Sequence, residues 1–270
     1  MYETDGKRVS ATVSDEIAGE AACLAASGER TVPGVRHENY WYRRHEAAYH
    51  ALLPYCADAV VLEAGCGEGY GAGLLTEHAA QVIALDYDGA AIGHVARSYP
   101  TAHALHANLA VLPLIDAGLD VVANLQVLEH LWDQYGFLAE CRRVLRPGGR
   151  LLVTTPNRLT FTPGSDTPLN PYHTRELSPS ELDEMLREAG FAVHWLAGLH
   201  HGAGVRALDE RYGGSVIDAQ LDVVMGSLPG QASWPGSLLA DVAAIRADDF
   251  DIHDRNLDAS LDLLAVAVRP

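Results

Sequence analysis

Three glycines, at positions 65, 67 and 69, follow an apolar run that ends in Glu63. Glycine lets a backbone turn sharply, and it lets a ligand approach where a Cβ atom would collide. A helix after such a turn directs its free N–H groups and its positive dipole end at the ligand. A second apolar run ends in Asp86, whose carboxylate is suited to accept hydrogen bonds from a ribose diol. The pattern predicts a site for a cofactor that contains a nucleoside.

The glycine spacing leaves the kind of nucleoside open. Gly67, Gly69 and Ala72 satisfy the relaxed dinucleotide pattern, whereas the set that begins two residues earlier has Tyr70 at its third position. Glu63 favours a cationic cofactor, because its carboxylate would repel a pyrophosphate and attract an ammonium group. An NAD-dependent oxidoreductase therefore stands as an alternative to an enzyme whose nucleoside cofactor carries a cationic amino-acid group.

A second group of reactive side chains follows the predicted fourth strand, at Glu129, His130 and Trp132. Transfer of a group from such a cofactor to an alcohol requires an enzyme mainly to position the two partners. The alcohol must lose its proton, and histidine is the side chain best suited to take it near neutral pH. His130 is the candidate base, with Glu129 beside it; alternatively, the two only close the pocket. Trp132 is expected either to stack on a sugar ring or to pack in the core.

Three other residues are weaker candidates. In the stretch 38–45, Tyr42 could seal a cofactor and Arg44 could bind its carboxylate through an arginine fork, although at least one aromatic residue there is expected to pack in the core. His173 follows the predicted fifth strand. It is expected to assist the base, to bind a metal or to hold a loop.

The alternation of short β-rich runs and longer helical runs between about residues 44 and 197 predicts parallel βαβ units. We expect a doubly wound, mostly parallel, seven-stranded α/β sheet in a domain that spans residues 44–270. Its strands are predicted at residues 59–63, 82–86, 102–106, 119–125, 150–154, 191–196 and 261–269. Residues 1–43 are interpreted as an N-terminal lid, and residues 198–257 as an insertion that caps the substrate side.

Composition excludes several classes of function. The chain has 270 residues, of which 48% are hydrophobic, and its 19 basic and 36 acidic side chains give a net charge of −17. Such a balance disfavours nucleic acid and anionic membranes as partners and favours a small neutral or cationic acceptor. The four cysteines lack metal-binding spacing, and the chain begins without a leader pattern. We expect a reduced, cytoplasmic protein, compatible with a homodimer.

The run at residues 63–69 resembles the first motif of the class I methyltransferases that use S-adenosylmethionine. Three stretches near the ends of the predicted fourth and fifth strands resemble motifs of small-molecule O-methyltransferases, at residues 126–131, 146–149 and 155–157. Five further stretches resemble the mycobacterial sugar 1-O-methyltransferases of methylmannose polysaccharide synthesis, at residues 27–33, 38–45, 166–177, 213–220 and 260–270. This resemblance implies methylation of the reducing-end 1-hydroxyl of a short 3-O-methylated mannoside. A quinone or phenol O-methyltransferase shares the core motifs and is the nearest alternative.

The resemblance also implies a set of cofactor contacts. The amino-acid end of the cofactor would be held by Glu63, Gly65, Cys66 and Gly67. Asp86 would bind the ribose and Tyr87 would lie beside the adenine, with Gln126 at the end of the fourth strand completing the site. Related enzymes commonly have an acid after the third strand, where this chain has Asn108 and Leu109. Asn108 can accept a hydrogen bond from the adenine amine only through its carbonyl oxygen.

Some sugar methyltransferases hold a magnesium ion that binds the hydroxyls of the acceptor. Magnesium prefers hard oxygen ligands. The carboxylates expected near the binding edge are those of Glu129, Asp133 and Asp166. The resemblance thus makes Mg²⁺ a candidate second cofactor beside S-adenosylmethionine.

Overall fold

The computed structural model describes residues 30–226 and 233–270. Within them the chain forms a single eight-stranded sheet with the strand order β3-β2-β1-β4-β5-β8-β6-β7. The strands are β1 (Val60–Ala64), β2 (Gln81–Asp86), β3 (His103–His106), β4 (Leu119–Leu125), β5 (Leu145–Pro156), β6 (Ala192–His201), β7 (Phe250–His253) and β8 (Asp262–Val268). The strands from β3 to β5 in this order pair in parallel, whereas β8 is antiparallel to both of its neighbours.

Helices cover both faces of the sheet, as a doubly wound fold requires. They are α1 (Asn39–Leu52), α2 (Tyr70–Thr76), α3 (Gly89–Ser98), α4 (Gln134–Val144), α5 (Arg158–Phe161), α6 (Pro179–Glu188), α7 (Ala203–Arg211), α8 (Val216–Met225) and α9 (Gly236–Ala244). Short 3-10 helices lie at Arg36–Glu38, Leu53–Cys56, Leu128–His130, Ala247–Asp249 and Leu257–Ala259. Among the described helices, each is too short or too polar to cross a membrane.

The predicted number of strands is wrong by one. The additional strand is β7, which pairs antiparallel with the end of β6 inside the predicted insertion. It is only four residues long and lies at the edge of the sheet. A strand of this length lacks the apolar run by which the buried parallel strands are recognised.

The core consists of one apolar layer on each face of the sheet. On one face, Tyr40 of α1 packs in the same cluster as Val205 and Val242, which belong to the helices of the insertion. On the other face, Phe137 of α4 and Leu182 of α6 pack against the buried strands. The insertion therefore extends the core on the α1 side, and its role as a substrate cap stays a prediction.

The predicted boundary between lid and domain, after residue 43, falls inside α1. The Asn39 side chain of this helix donates hydrogen bonds to the carbonyls of Val242 and Ile245, over 3.0 and 2.8 Å. The beginning of α1 is thus part of the packed domain. Residues 1–29, which make up most of the predicted lid, lie outside the described part of the chain.

Candidate functional site

The turn between β1 and α2 has the conformation that its glycines predict. Gly65, Gly67 and Gly69 have φ angles of 90°, 52° and 95°, in the left-handed region that favours glycine. A Cβ atom on Gly65 would lie 2.7 Å from a methyl carbon of Val127, in the segment that follows β4. The close approach of these two loops forms a cradle at the carboxyl ends of β1 and β4, where open α/β sheets bind ligands.

Asp86 lies at the carboxyl end of β2 and holds this turn in place. Its Oδ2 accepts a hydrogen bond from the Gly67 N–H, and its Oδ1 accepts one from the Asp88 N–H, both over 2.9 Å. Arg30 reaches the same carboxylate, with Nη2 3.5 Å from Asp86 Oδ1, and it donates to Asp88 over 2.8 Å. The sequence offered no sign of Arg30, because its partners lie far along the chain. A ribose at Asp86 would share the carboxylate with this guanidinium or displace it.

Glu63 is turned beneath the glycine turn rather than toward the open edge. Its side chain is 1% exposed, and Oε1 accepts a hydrogen bond from the Tyr49 hydroxyl over 2.6 Å. Burial raises the pKa of the Glu63 carboxyl to about 8, and the hydrogen bond from Tyr49 opposes this shift. Glu63 Oε2 accepts no hydrogen bond from the described residues. In this geometry Glu63 supports the turn and contributes an acidic group below it, and burial raises the pKa of the neighbouring Cys66 thiol.

The residues predicted for the adenine side follow the adjacent tips of β2 and β3. Tyr87 is exposed, and its carbonyl accepts a hydrogen bond from His106 over 2.8 Å, which joins the two tips. Leu109 is buried in the core. Asn108 is exposed, but its carbonyl oxygen accepts a hydrogen bond from the Ala110 N–H over 2.9 Å. The group predicted to face the adenine amine is therefore already used in a turn.

Arg44 does not have the predicted role, because its guanidinium is buried and bonded to Asp262 and to the backbone just before β8 inside the protein. It donates to both carboxylate oxygens of Asp262 over 2.5 and 2.6 Å and to the Leu261 carbonyl over 2.9 Å. The side chains of the pair are 4% and 1% exposed. Tyr42 is half-buried and donates to Glu46 over 3.1 Å. Arg44 thus connects α1 to β8 and is unavailable as a fork for a cofactor carboxylate.

Gln126, the first residue after β4, has a left-handed conformation with a φ of 57°. Its backbone N–H donates to the Thr154 carbonyl over 2.9 Å, and its side-chain amide donates to the Thr154 hydroxyl over 3.3 Å. The conformation turns the chain out of the sheet directly above the cradle. It carries the chain into the short 3-10 helix that contains Glu129 and His130.

The His130 ring is oriented by a hydrogen bond to a backbone carbonyl, which can only accept. Its Nδ1 lies 3.0 Å from the Tyr172 carbonyl oxygen, which can only accept, so Nδ1 carries the hydrogen and Nε2 the lone pair. That Nε2 is 4.0 Å from Glu129 Oε1. Glu129 is buried, which raises the pKa of its carboxyl to about 8, and its Oε2 accepts a hydrogen bond from Thr155 over 3.0 Å. A basic nitrogen and a carboxylate therefore face each other at the end of β4.

His173 joins this group from the loop before α6. Its ring lies edge-on to that of His130, with the ring centroids 4.8 Å apart. Its Nδ1 is 2.7 Å from Oε1 of the buried Glu176, and Asn170 contacts its Nε2 over 3.0 Å. Sequence reasoning missed Glu176, although a histidine and a glutamate three residues apart are the signal that could have found it. The ligand atoms of Glu129, His130 and His173 lie within 4.8 Å of one another.

Two of the three carboxylates predicted to bind magnesium lie elsewhere. Asp133 is the N-cap of α4, where it accepts a hydrogen bond from the Gly136 N–H over 2.8 Å. Asp166 is fully exposed, and its nearest cationic partner is Arg158, 3.8 Å away. The structure therefore joins Glu129 to two histidines instead of to Asp133 and Asp166.

Trp132 is 94% exposed, so the expectation that it packs in the core is wrong. It lines an open pocket of about 180 Å³ together with Tyr135 and Thr174. Thr174 donates to the carbonyls of Glu129 and Leu131, and this holds the loop of His173 against the end of β4. An exposed aromatic face thus lies on the segment that directly follows Glu129 and His130.

Comparison with known proteins shows the family and the fold. Residues 62–153 match the family model of a methyltransferase domain. A probable S-adenosylmethionine-dependent methyltransferase of Mycolicibacterium smegmatis is 57% identical over 252 residues, which are 92% of this chain and 96% of that protein. A ubiquinone biosynthesis O-methyltransferase of Nitrosococcus oceani is 30% identical over 56% of this chain and 70% of its own. Geranyl diphosphate methyltransferase has the same fold, with a TM-score of 0.57, 16% identity and coverage of 91% of this chain and 94% of its own.

Proposed function

Because the chain belongs to the S-adenosylmethionine-dependent methyltransferases, we propose that it methylates a sugar hydroxyl, specifically the 1-hydroxyl of a short 3-O-methylated mannoside. The reaction class and the cofactor follow from the family. The acceptor follows from the resemblance of residues 38–45, 166–177 and 260–270 to the mycobacterial sugar 1-O-methyltransferases. The mannoside is a precursor of methylmannose polysaccharide in this proposal.

The cradle between β1 and β4 suits S-adenosylmethionine, which supplies an electrophilic methyl group on a sulfonium sulfur. Gly65 and Gly67 both have left-handed backbone angles, and a Cβ atom on Gly65 would collide with Val127 in the segment after β4, whereas one on Gly67 would lie 3.6 Å from Arg30. Asp86 would accept hydrogen bonds from the ribose diol, and Tyr87 would cover the adenine. A cationic amino-acid end bound above the turn would favour the ionised form of the buried Glu63 carboxyl, whose pKa burial raises to about 8.

Acceptor activation is assigned to His130, with Glu129 beside it. The observation that carries this assignment is the hydrogen bond from Nδ1 to the Tyr172 carbonyl, since it leaves the lone pair on Nε2. A lone pair at this atom can take the proton of an alcohol as its oxygen attacks the methyl carbon. The exposed faces of Trp132 and Tyr172 suit the apolar face of a sugar ring.

The experiment is a panel of acceptors assayed for formation of S-adenosylhomocysteine. The panel contains 3-O-methylated mannosides, unmethylated mannosides, a catechol and a quinol. We expect turnover only with the methylated mannosides, and we expect it to be lost in His130→Gln while the affinity for S-adenosylhomocysteine is retained. Turnover only with the catechol or quinol would overturn the sugar assignment in favour of the alternative that the ubiquinone relative supports. Undiminished turnover of His130→Gln would remove His130 from the reaction.

A further inference from the structure

We infer that Glu129, His130 and His173 bind a divalent transition-metal ion that contacts the acceptor hydroxyl. This inference deepens the proposed function and rests on it for the role of the ion, but not for its binding. Two of the three side chains come from the 3-10 helix after β4, and one comes from the loop before α6. Their ligand atoms already lie within 4.8 Å of one another.

Both histidines are held in the tautomer that metal binding requires. The Nδ1 hydrogen of His130 is directed at the Tyr172 carbonyl oxygen, 3.0 Å away. The Nδ1 of His173 lies 2.7 Å from Oε1 of the buried Glu176. Histidine ligands in proteins typically donate their second ring N–H to a backbone carbonyl or a carboxylate in this way, which fixes the ring and makes the other nitrogen more basic. Each Nε2 therefore carries a lone pair.

The contact between Asn170 and His173 Nε2 supports the same tautomer of His173. Asn170 Nδ2 lies 3.0 Å from His173 Nε2, while Asn170 Oδ1 accepts a hydrogen bond from the Tyr172 N–H over 3.0 Å. Because the Tyr172 N–H fixes the position of Asn170 Oδ1, the amide nitrogen of Asn170 faces His173. His173 Nε2 must therefore accept a hydrogen bond from this amide. An entering ion would replace this single neutral hydrogen bond.

Glu129 supplies the oxygen ligand. Its Oε2 accepts a hydrogen bond from Thr155 over 3.0 Å, and its Oε1 lies 4.0 Å from His130 Nε2. Around an ion with bonds of about 2.0–2.2 Å, neighbouring ligand atoms lie about 3–3.5 Å apart. The ligand atoms, which lie up to 4.8 Å apart, would have to approach one another by up to about 1.3–1.8 Å to close the site.

The ligand types select the class of ion. Magnesium prefers an octahedron of oxygen atoms and keeps several waters, whereas two imidazoles and one carboxylate suit zinc, manganese, iron or cobalt. The site therefore replaces the magnesium expected from the sequence by a transition metal. Three protein ligands also leave a coordination position open for a substrate oxygen.

A bound ion changes how the acceptor is activated. With an ion bound, His130 Nε2 would be a ligand instead of the base assigned above, and the ion would lower the pKa of the coordinated hydroxyl so that water can take its proton. The oxygen then forms the bond to the methyl carbon, and the electrons of the breaking carbon–sulfur bond return to sulfur. His130 is required with or without an ion, and variants at His130 cannot separate the two mechanisms.

The experiment uses the full chain, stripped of metal with a chelator and titrated with Co²⁺, whose visible spectrum reports coordination by nitrogen and oxygen without any activity assay. We expect one Co²⁺ per chain for the wild type and for the control His50→Ala, which removes an exposed histidine of α1. His173→Ala and Glu129→Gln should lose this site. Glu176→Gln, which changes only the partner of His173, should bind about 10–100-fold more weakly.

Activity is measured separately on the stripped protein, with and without Zn²⁺ or Mn²⁺. We expect turnover to fall at least tenfold on stripping and to return when an ion is added. No stoichiometric Co²⁺ binding by the wild type, or equal binding by His173→Ala, would overturn the site. Full turnover of the stripped protein would overturn the role of the ion and leave the proposed methyl transfer standing. Failure of every acceptor with Co²⁺ bound would instead count against the proposed function alone.

Discussion

Replacing Arg44 with Met tests whether this side chain stabilises the fold or binds the cofactor. Its guanidinium makes two hydrogen bonds to Asp262 and one to the Leu261 carbonyl, and both charged side chains are buried. Arg44→Met would leave the Asp262 carboxylate buried without its cation. Removing one partner of a buried ion pair costs about 3–5 kcal/mol, a large share of the roughly 5–15 kcal/mol that stabilises a typical domain.

The assay is urea unfolding followed by circular dichroism, combined with calorimetric titration of S-adenosylhomocysteine into each folded variant. We expect Arg44→Met to unfold at much lower urea and, where still folded, to bind the cofactor product with unchanged affinity. Arg43→Met is the matched control, because Arg43 is a partly exposed neighbour on α1 whose partner Glu46 keeps a second donor in Tyr42. Its loss should cost less than the loss of Arg44.

The double variant Arg44→Met with Asp262→Leu removes both charges. It should recover most of the lost stability, because a buried ion pair replaced by apolar residues is often neutral or stabilising. The reasoning is refuted if Arg44→Met keeps the stability of the wild type while its affinity for S-adenosylhomocysteine falls tenfold or more. That result would return Arg44 to the cofactor site.

Three further predictions concern the site itself. Gly65→Ala should weaken binding of S-adenosylhomocysteine in a calorimetric titration, because its Cβ would lie 2.7 Å from Val127. The control Gly148→Ala, at a φ of 79° with open space around it, should bind normally. Equal affinities of the two variants would contradict the tight cradle. The pKa of the Glu63 carboxyl is raised to about 8 in the folded protein, whereas the unfolded chain loses this proton near pH 4.5. The free energy of unfolding should therefore fall as the pH rises from about 4.5 to 8. Glu63→Gln should show a smaller fall in melting temperature across that range, and a parallel fall would argue against the raised pKa. Trp132→Ala should keep the melting temperature, because the ring is 94% exposed, and should raise the KM for the sugar; an unchanged KM would exclude stacking.

Local patterns predicted the parts of the fold that local forces determine. The fourth strand was predicted at residues 119–125 and is observed as Leu119–Leu125, because a buried parallel strand reads as a continuous apolar run. The glycine turn was predicted because its left-handed angles can be met without strain only by glycine. The position of Asp86 at the carboxyl end of the second strand was predicted from the apolar run that precedes it, and β2 ends at this residue.

The parts that could not be predicted depend on contacts between distant segments. Arg44 and Asp262 are 218 residues apart. From the sequence alone, a basic residue beside aromatic residues is as compatible with a cofactor contact as with a buried ion pair. His130 and Tyr172 are 42 residues apart, and the acceptor is a backbone carbonyl that carries no sequence signal. The same holds for the approach of His173 to Glu129, which depends on how the loop before α6 folds back over β4.

The most direct test of the central claim follows the methyl group itself. The protein is incubated with S-adenosylmethionine that carries a deuterated methyl group and with a short 3-O-methylated mannoside, and the product is analysed by mass spectrometry and NMR. We predict one deuterated methyl group, attached to the anomeric oxygen of the reducing end. A label on another hydroxyl, or no label in any mannoside while a different acceptor is methylated, would contradict the account.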